Sequence, residues 1–192
     1  MTNDPFALFA DWFRLAEAKE PSDANAMTLA TARDGQPSAR IVLLKAFDDR
    51  GFVFYTNLDS RKGREIAANP AAALLFHWKS LARQIRIEGR LSRVSDAEAD
   101  AYFATRPRIS QIGAWASRQS EAMPGGRAEF EAALEAVERR FAGVDVPRPP
   151  HWSGCRLAPE RIEFWEGRDY RLHERRLFVR SGNGWTTEWL YP

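Results

Sequence analysis

Between residues 84 and 91 (Gln-Ile-Arg-Ile-Glu-Gly-Arg-Leu) polar and apolar side chains alternate. On an extended chain Gln84, Arg86, Glu88 and Arg90 take one face, and Ile85, Ile87 and Leu91 the other. That period of two predicts a half-buried antiparallel strand, which needs partners on both edges. The chain offers them. Residues 26–32, 40–47, 51–56 and 73–78 read as strands before it, and 155–157, 162–165, 170–180 and 185–190 after it. Asp34-Gly35 is a hairpin turn signal, and Asp48-Asp49-Arg50 marks a second turn.

Helices are interspersed. Asp4 caps and Pro5 opens a first helix whose apolar stripe includes Phe6, Phe9, Phe13 and Trp12; Pro21 lies beyond its end. Ser60 caps a short helix over 61–68, stopped by Asn69-Pro70. Ser95 and Glu98 form a capping box for a helix running to about residue 105, which Pro107 ends. Residues 127–141 form an amphipathic helix ending at Gly143, followed by the connector Val-Pro-Arg-Pro-Pro at 146–150. Strands and helices do not alternate regularly, so a doubly wound sheet is not expected. The pattern predicts a mainly β chain with helices, an antiparallel barrel with helical additions. No repeat or linker divides it, and residues 1–192 are expected to form one domain.

Composition narrows function. A formal net charge of +2 gives no case for nucleic acid as a partner. No apolar stretch approaches membrane-spanning length. The start Met-Thr-Asn-Asp-Pro lacks a basic stretch followed by an apolar run, so no signal peptide is expected and the expected location is cytoplasmic. Cys155 is the lone cysteine, which excludes an intrachain disulfide and reads as a small, inert hydrophobe. His77, His151 and His173 have no metal-ligand spacing, so no metal is expected. There is no G-x-S-x-G, no P-loop and no G-x-G-x-x-G after a strand.

What remains is cationic. Ser60-Arg61-Lys62 stands at a helix start, where free N–H groups and the dipole favour an anion, so a phosphate cradle and a solvated first turn both fit. Arg171, His173 and Arg175 are spaced by two on an expected strand, and their mutual repulsion would be relieved by an anionic or electron-rich ligand or screened by solvent. Tyr102 and Arg106 share four-residue spacing, and Ser110, beyond Pro107, is placed by a turn; together they suit a second phosphate or an ordinary helix end. Arg40 and Lys45, five apart, fall on opposite faces unless a bulge intervenes. Trp78 and Trp165 suit either core packing or a planar ligand.

These clusters, in this order, resemble the pyridoxine/pyridoxamine 5′-phosphate oxidase family. The matching pieces are RIVLLK (40–45), GFVFYTN (51–57), SRKG (60–63), RQIRIEG (83–89), YFATRPRISQIGAWAS (102–117), RQS (118–120), VPRPPHW (146–152) and IEFWEGRDYRLHER (162–175). The resemblance implies an FMN-binding split β-barrel and a homodimer, with about residues 150–192 supplying dimerisation and substrate strands. It implies FMN contacts from Arg40, Ile41, Val42, Leu43, Leu44, Lys45, Tyr55, Thr56, Arg61, Lys62, Gln84, Gln119, Ser120, Trp165 and Arg175. It implies substrate contacts from Lys45, Tyr102, Arg106, Ser110, Arg171 and His173, the last two also catalytic. The implied reaction converts pyridoxine or pyridoxamine 5′-phosphate to pyridoxal 5′-phosphate, with O2 reduced to H2O2. A related oxidase of phenazine synthesis would keep the FMN set and lose the substrate-phosphate set. Glu166, Ser153-Gly154-Cys155 and the C-terminal Glu-Trp-Leu-Tyr-Pro depart from the family pattern.

Overall fold

The computed structural model describes residues 3–192. The chain divides into two compact units. The first takes the chain up to Phe54 with Asn69–Ser92 and Arg156–Pro192; the second takes Tyr55–Ala68 and Arg93–Cys155.

The first unit is built on an antiparallel sheet. The strands are β1 (Ala26–Arg33), β2 (Gln36–Leu43), β3 (Ala46–Asp48), β4 (Gly51–Asn57), β5 (Ala71–Trp78), β6 (Arg83–Arg93), β7 (Trp152–Glu166), β8 (Glu174–Ser181) and β9 (Gly184–Leu190), of which residues 55–57, 93 and 152–155 belong to the second unit. The order is β2-β1-β5-β6-β7-β4-β3, with β8 on β7 and β9 on β8, and the path is not closed. Asp34 (φ 53°) and Gly35 (φ 78°) turn β1 into β2 with Arg33 opposite Gln36. Both turn residues are left-handed, as a two-residue hairpin requires.

The expected alternation in β6 is observed. Ile85, Ile87 and Leu91 are buried, while Gln84, Arg86 and Glu88 are half-buried and Arg90 is exposed. Helix α1 (Pro5–Lys19) starts where expected, with Asp4 accepting the Phe6 N–H. It drives Phe9 into the sheet, fully buried, with ring centroids 4.8 Å from Phe47, 4.8 Å from Phe52 and 5.3 Å from Phe76. Burying one such side chain contributes roughly 1.5–3 kcal/mol. Trp78, read as core or ligand-stacking, is core: it is 2% exposed, and its indole N–H donates to the Ala24 carbonyl.

The second unit holds α2 (Arg61–Ala68), α3 (Asp96–Ala104), α4 (Arg108–Ala116) and α5 (Gly126–Arg140). Its core is Phe103, Ile112, Phe141, Val146 and Trp152. The Ser95–Glu98 capping box is present in both directions.

Four readings of the sequence need correction. The strand expected over 40–47 is two: the chain leaves β1 after Leu43, and the Lys45 N–H pairs with Val53 in β4 instead. The short strands at 155–157 and 162–165 are one strand of 15 residues, β7. The strand expected over 170–180 starts only at Glu174, because Tyr170 (φ 57°) and Arg171 (φ 63°) are left-handed. Residues 108–116 form a helix, α4, that the sequence hid. Pro107 supplies no side-chain cap, but its carbonyl accepts from both Ser110 and Gln111.

Gly51 (φ 136°) is irreplaceable on two counts: a Cβ there would lie 2.0 Å from the Leu157 carbonyl oxygen. Gly35 has nothing within 4 Å. Gly51→Ala is therefore expected to destabilise by about 2–4 kcal/mol, from overpacking and strain together. Gly35→Ala should cost about 1 kcal/mol, from its positive φ alone. Urea unfolding of the two variants checks this; equal midpoint shifts would rule out the steric account.

Candidate functional site

In the second unit the end of β4 delivers Tyr55 and Thr56, and the chain turns through Leu58 and Asp59 into α2. Ser60, fully buried, donates its hydroxyl to the Asn57 carbonyl and accepts from the Gly63 N–H, which makes it the cap expected from the sequence. Arg61 pairs with Glu65 at 2.8 Å, yet its side chain stays 61% exposed. The Lys62 ammonium donates to the Gln119 side-chain carbonyl at 2.7 Å and to Ser60 Oγ at 3.3 Å. Two residues 57 positions apart, both expected at one ligand, are thus in contact. Ser120, beside Gln119, is exposed and left-handed (φ 75°).

A ladder of aromatic rings follows. Tyr55 stacks on Tyr102 with centroids 3.9 Å apart and on Trp152 at 5.2 Å; Tyr102 and Trp152 lie 2° from parallel. The Arg106 guanidinium sits 4.8 Å over Trp152 and 5.6 Å from Phe103. Its Nη1 is buried and has no hydrogen-bond partner among the described residues. Burial pulls the Arg106 pKa down, with Tyr102 acting in the opposite sense. A half-buried cation with an unsatisfied donor is costly to keep, and an anion would satisfy it. Ser110 lies in the first turn of α4, not in the turn expected, and its N–H is taken by Pro107.

In the first unit Arg40 is half-buried and donates to Leu29 O, Thr31 Oγ1 and Ser38 Oγ. Pleating leaves Ile41 (63% exposed) and Leu43 outward and buries Val42. The choice between a bulge and opposite faces for Arg40 and Lys45 is resolved by the strand break after Leu43. Leu44 is buried and Lys45 exposed, lining a cleft of about 810 Å³ with Phe13, Glu17, Glu20 and Phe47. Gln84 is half-buried opposite His77.

Trp165 pairs in register with Arg175, and its ring lies 4.5 Å from that of His173. His173 Nδ1 accepts the Arg168 N–H at 3.2 Å, which leaves the ring proton on Nε2. The expected row of Arg171, His173 and Arg175 on one strand face does not form. Arg171 is exposed in the left-handed turn, His173 precedes β8, and Arg175 alone lies within it. Arg175 is not an unpaired cation either: Glu163, 3% exposed, accepts from it at 2.7 Å and also from Arg86. That hydrogen bond raises the Arg175 pKa.

Sequence reasoning passed over Trp152 and Arg148. The signal was the Pro-rich run that holds Arg148 just before the tryptophan. Among the described residues no cluster of His, Cys, Asp and Glu could hold a metal ion, and no helix is long and apolar enough to cross a membrane.

Two family models match the chain: pyridoxamine 5′-phosphate oxidase over residues 15–141, and the pyridoxine 5′-phosphate oxidase C-terminal dimerisation region over residues 152–192. A pyridoxine/pyridoxamine 5′-phosphate oxidase of Sphingopyxis alaskensis is 65% identical, covering 100% of this chain and 89% of its own. One of Gluconobacter oxydans is 60% identical, covering 98% and 94%. Among solved structures, PhzG from Burkholderia lata in complex with tetrahydrophenazine-1-carboxylic acid superposes with a TM-score of 0.92 at 34% identity, covering 100% and 94%. A pyridoxamine 5′-phosphate oxidase-related, FMN-binding protein from Nostoc punctiforme gives a TM-score of 0.75 at 19% identity, covering 97% and 96%, a likeness of fold.

Burial pushes the Cys155 thiol up to about 11, against the opposing pull of Arg93 and Lys62. A thiol reagent at pH 8 is therefore expected to leave the folded protein unlabelled and to label one site after denaturation. Fast labelling of the folded protein would refute the burial of this thiol.

Proposed function

The chain belongs to the pyridoxine/pyridoxamine 5′-phosphate oxidase family, and from that premise we propose that it is an FMN-dependent oxidase that makes pyridoxal 5′-phosphate from pyridoxine or pyridoxamine 5′-phosphate. The observation that carries the substrate reading is Arg106: a half-buried guanidinium with an unpartnered, buried Nη1, beside a tyrosine ladder. A substrate phosphate would supply the missing acceptor.

The donor set suits FMN. Arg61 and Lys62 stand at the start of α2 with Gln119 in contact with Lys62, and with Ser120 they would offer a guanidinium, an ammonium, an amide and a hydroxyl to a phosphate monoester. Residues 40–45, Tyr55, Thr56, Gln84, Trp165 and Arg175 would hold the rest of the cofactor. FMN, when bound, supplies the two-electron acceptor for oxidation of the substrate C4′ carbon and passes the electrons to O2, which leaves as H2O2. Lys45, Tyr102, Arg106 and Ser110 would grip the substrate phosphate and so orient the ring. Arg171 and the Nε2–H of His173 would stabilise negative charge developing on the ring. The match to a dimerisation region over residues 152–192 supports a homodimer.

The likeness to PhzG favours a second reading, an oxidase of a phenazine precursor. The relatives at 60–65% identity favour the first. The deciding experiment is the visible spectrum of FMN-loaded protein without oxygen, before and after adding pyridoxine 5′-phosphate. Bleaching of the flavin bands, reversed by air, is expected. A flavin that stays oxidised with this substrate and bleaches with tetrahydrophenazine-1-carboxylic acid would establish the second reading.

Arg106→Ala is expected to raise KM for pyridoxine 5′-phosphate roughly 10–100-fold, the size of one charge-assisted hydrogen bond. Flavin content per chain should stay unchanged. An unaltered KM would remove Arg106 from the phosphate grip.

A further inference from the structure

Arg148 lies in the Pro-rich segment between α5 and β7, and all three of its guanidinium nitrogens are engaged. Nε donates to Asp100 at 2.5 Å, Nη2 to Asp96 at 2.8 Å and Nη1 to the Trp152 carbonyl at 2.8 Å. Its side chain is 11% exposed, while those of Asp96 and Asp100 are 78% and 60% exposed. Isolated surface ion pairs contribute little. This one differs in being a planar fork that holds two carboxylates and a backbone oxygen at once, a geometry that an ammonium cannot reproduce.

The fork joins two parts of the phosphate grip. Asp96 and Asp100 lie one turn apart on α3, and Phe103 continues the same face. Phe103 meets Trp152 edge-on at 5.1 Å. Tyr102, the next residue round the helix, lies parallel to Trp152, and Arg106 lies over the Trp152 ring just beyond the end of α3. Arg148 thus fixes α3, which carries Tyr102 and ends two residues before Arg106, relative to the tryptophan on which Arg106 rests. Its own hydrogen bonds go to none of the residues expected at the substrate.

We infer that Arg148, with Asp96 and Asp100, is a positioning residue for the substrate-phosphate grip, acting through the placement of Arg106 over Trp152. The inference rests on the proposed role of Arg106. Holding a charged donor in place lowers the ordering that phosphate binding must impose, so the effect falls on binding.

The test uses the FMN-loaded enzyme with pyridoxine 5′-phosphate as substrate and inorganic phosphate as competitive inhibitor. Arg148→Lys and Asp100→Asn should each raise KM and the phosphate inhibition constant roughly 5–30-fold, with kcat changed less than about threefold. In an Arg106→Ala background the same changes should raise KM less than about twofold, since the group they position is gone. Asp100→Asn alters an exposed partner, so it keeps the test open if Arg148 variants fold poorly. Equal losses in both backgrounds would overturn the inference, because Arg148 would then act on the fold at large. So would unchanged binding in Asp100→Asn and Arg148→Lys while Arg106→Ala alone weakens it. If Arg106→Ala itself leaves KM unaltered, the phosphate-grip reading fails first and this inference with it.

Discussion

The backbone of Leu157 and Ala158, in the middle of β7, has a glycine pressed against it from two neighbouring strands. A Cβ on Gly51 of β4 would stand 2.0 Å from the Leu157 oxygen, and one on Gly89 of β6 would stand 2.1 Å from the Ala158 oxygen. β7 lies between β6 and β4 and also pairs with β8. Such close approach on both sides is available only to residues without a side chain. Large apolar residues flank that point, with Phe52 next to Gly51, Ile87 two before Gly89 and Ile162 further along β7, all fully buried. α1 then closes over this surface through Phe9.

The second constraint is electrostatic. Lys and Arg number 28 against 26 acidic residues, so charges must be arranged by pairing rather than by excess. Glu163 shows the cost and its remedy: an almost fully buried carboxylate tolerated because Arg86 and Arg175 both donate to it. Arg83 shows a mixed solution, with one nitrogen on Glu166 and the guanidinium carbon 4.3 Å over Trp12, while its Nε is buried without a partner. Against that background Arg106 stands out, because among the described residues no carboxylate pairs with it as Glu166 does with Arg83. A buried donor left unsatisfied on a guanidinium with no carboxylate partner points toward an anionic ligand.

Where sequence reading succeeded, short-range chemistry decided the outcome. Asp4 with Pro5, Asp34-Gly35, Ser60 and the Ser95–Glu98 box each act within four residues, and each appears in the structure as read. The period of β6 held because one face is buried. It failed where a distant partner decides. Nothing local ends the strand at Leu43; the Lys45 N–H donates instead to the Val53 carbonyl on β4. Nothing in Arg-Ile-Ser-Gln announces α4, which is fastened instead by Gln111 donating to Phe103 O and by Arg108 donating to Phe141 O and Val144 O. The family resemblance supplied the site residues; spacing alone left a solvated surface equally open at Lys62, and only the fold sets it against Gln119.

The pair Arg171 and His173 shows how geometry separates two side chains that the sequence made look alike. Spacing by two suggested equivalent side chains on one rigid strand. Instead Tyr170 and Arg171 both hold positive φ, a conformation that costs bulky residues about 1–3 kcal/mol and persists only when something over-determines it. What holds it is local: the Leu172 N–H on Asp169 O, and the Arg168 N–H on His173 Nδ1. The second of these bonds also fixes the histidine tautomer, and the Trp165 ring braces its orientation. His173 is therefore oriented by contacts within the chain itself. Arg171 projects from the strained turn into solvent. A regular strand would have set both side chains alike; the left-handed turn separates them, leaving His173 half-buried against Trp165 and Arg171 exposed.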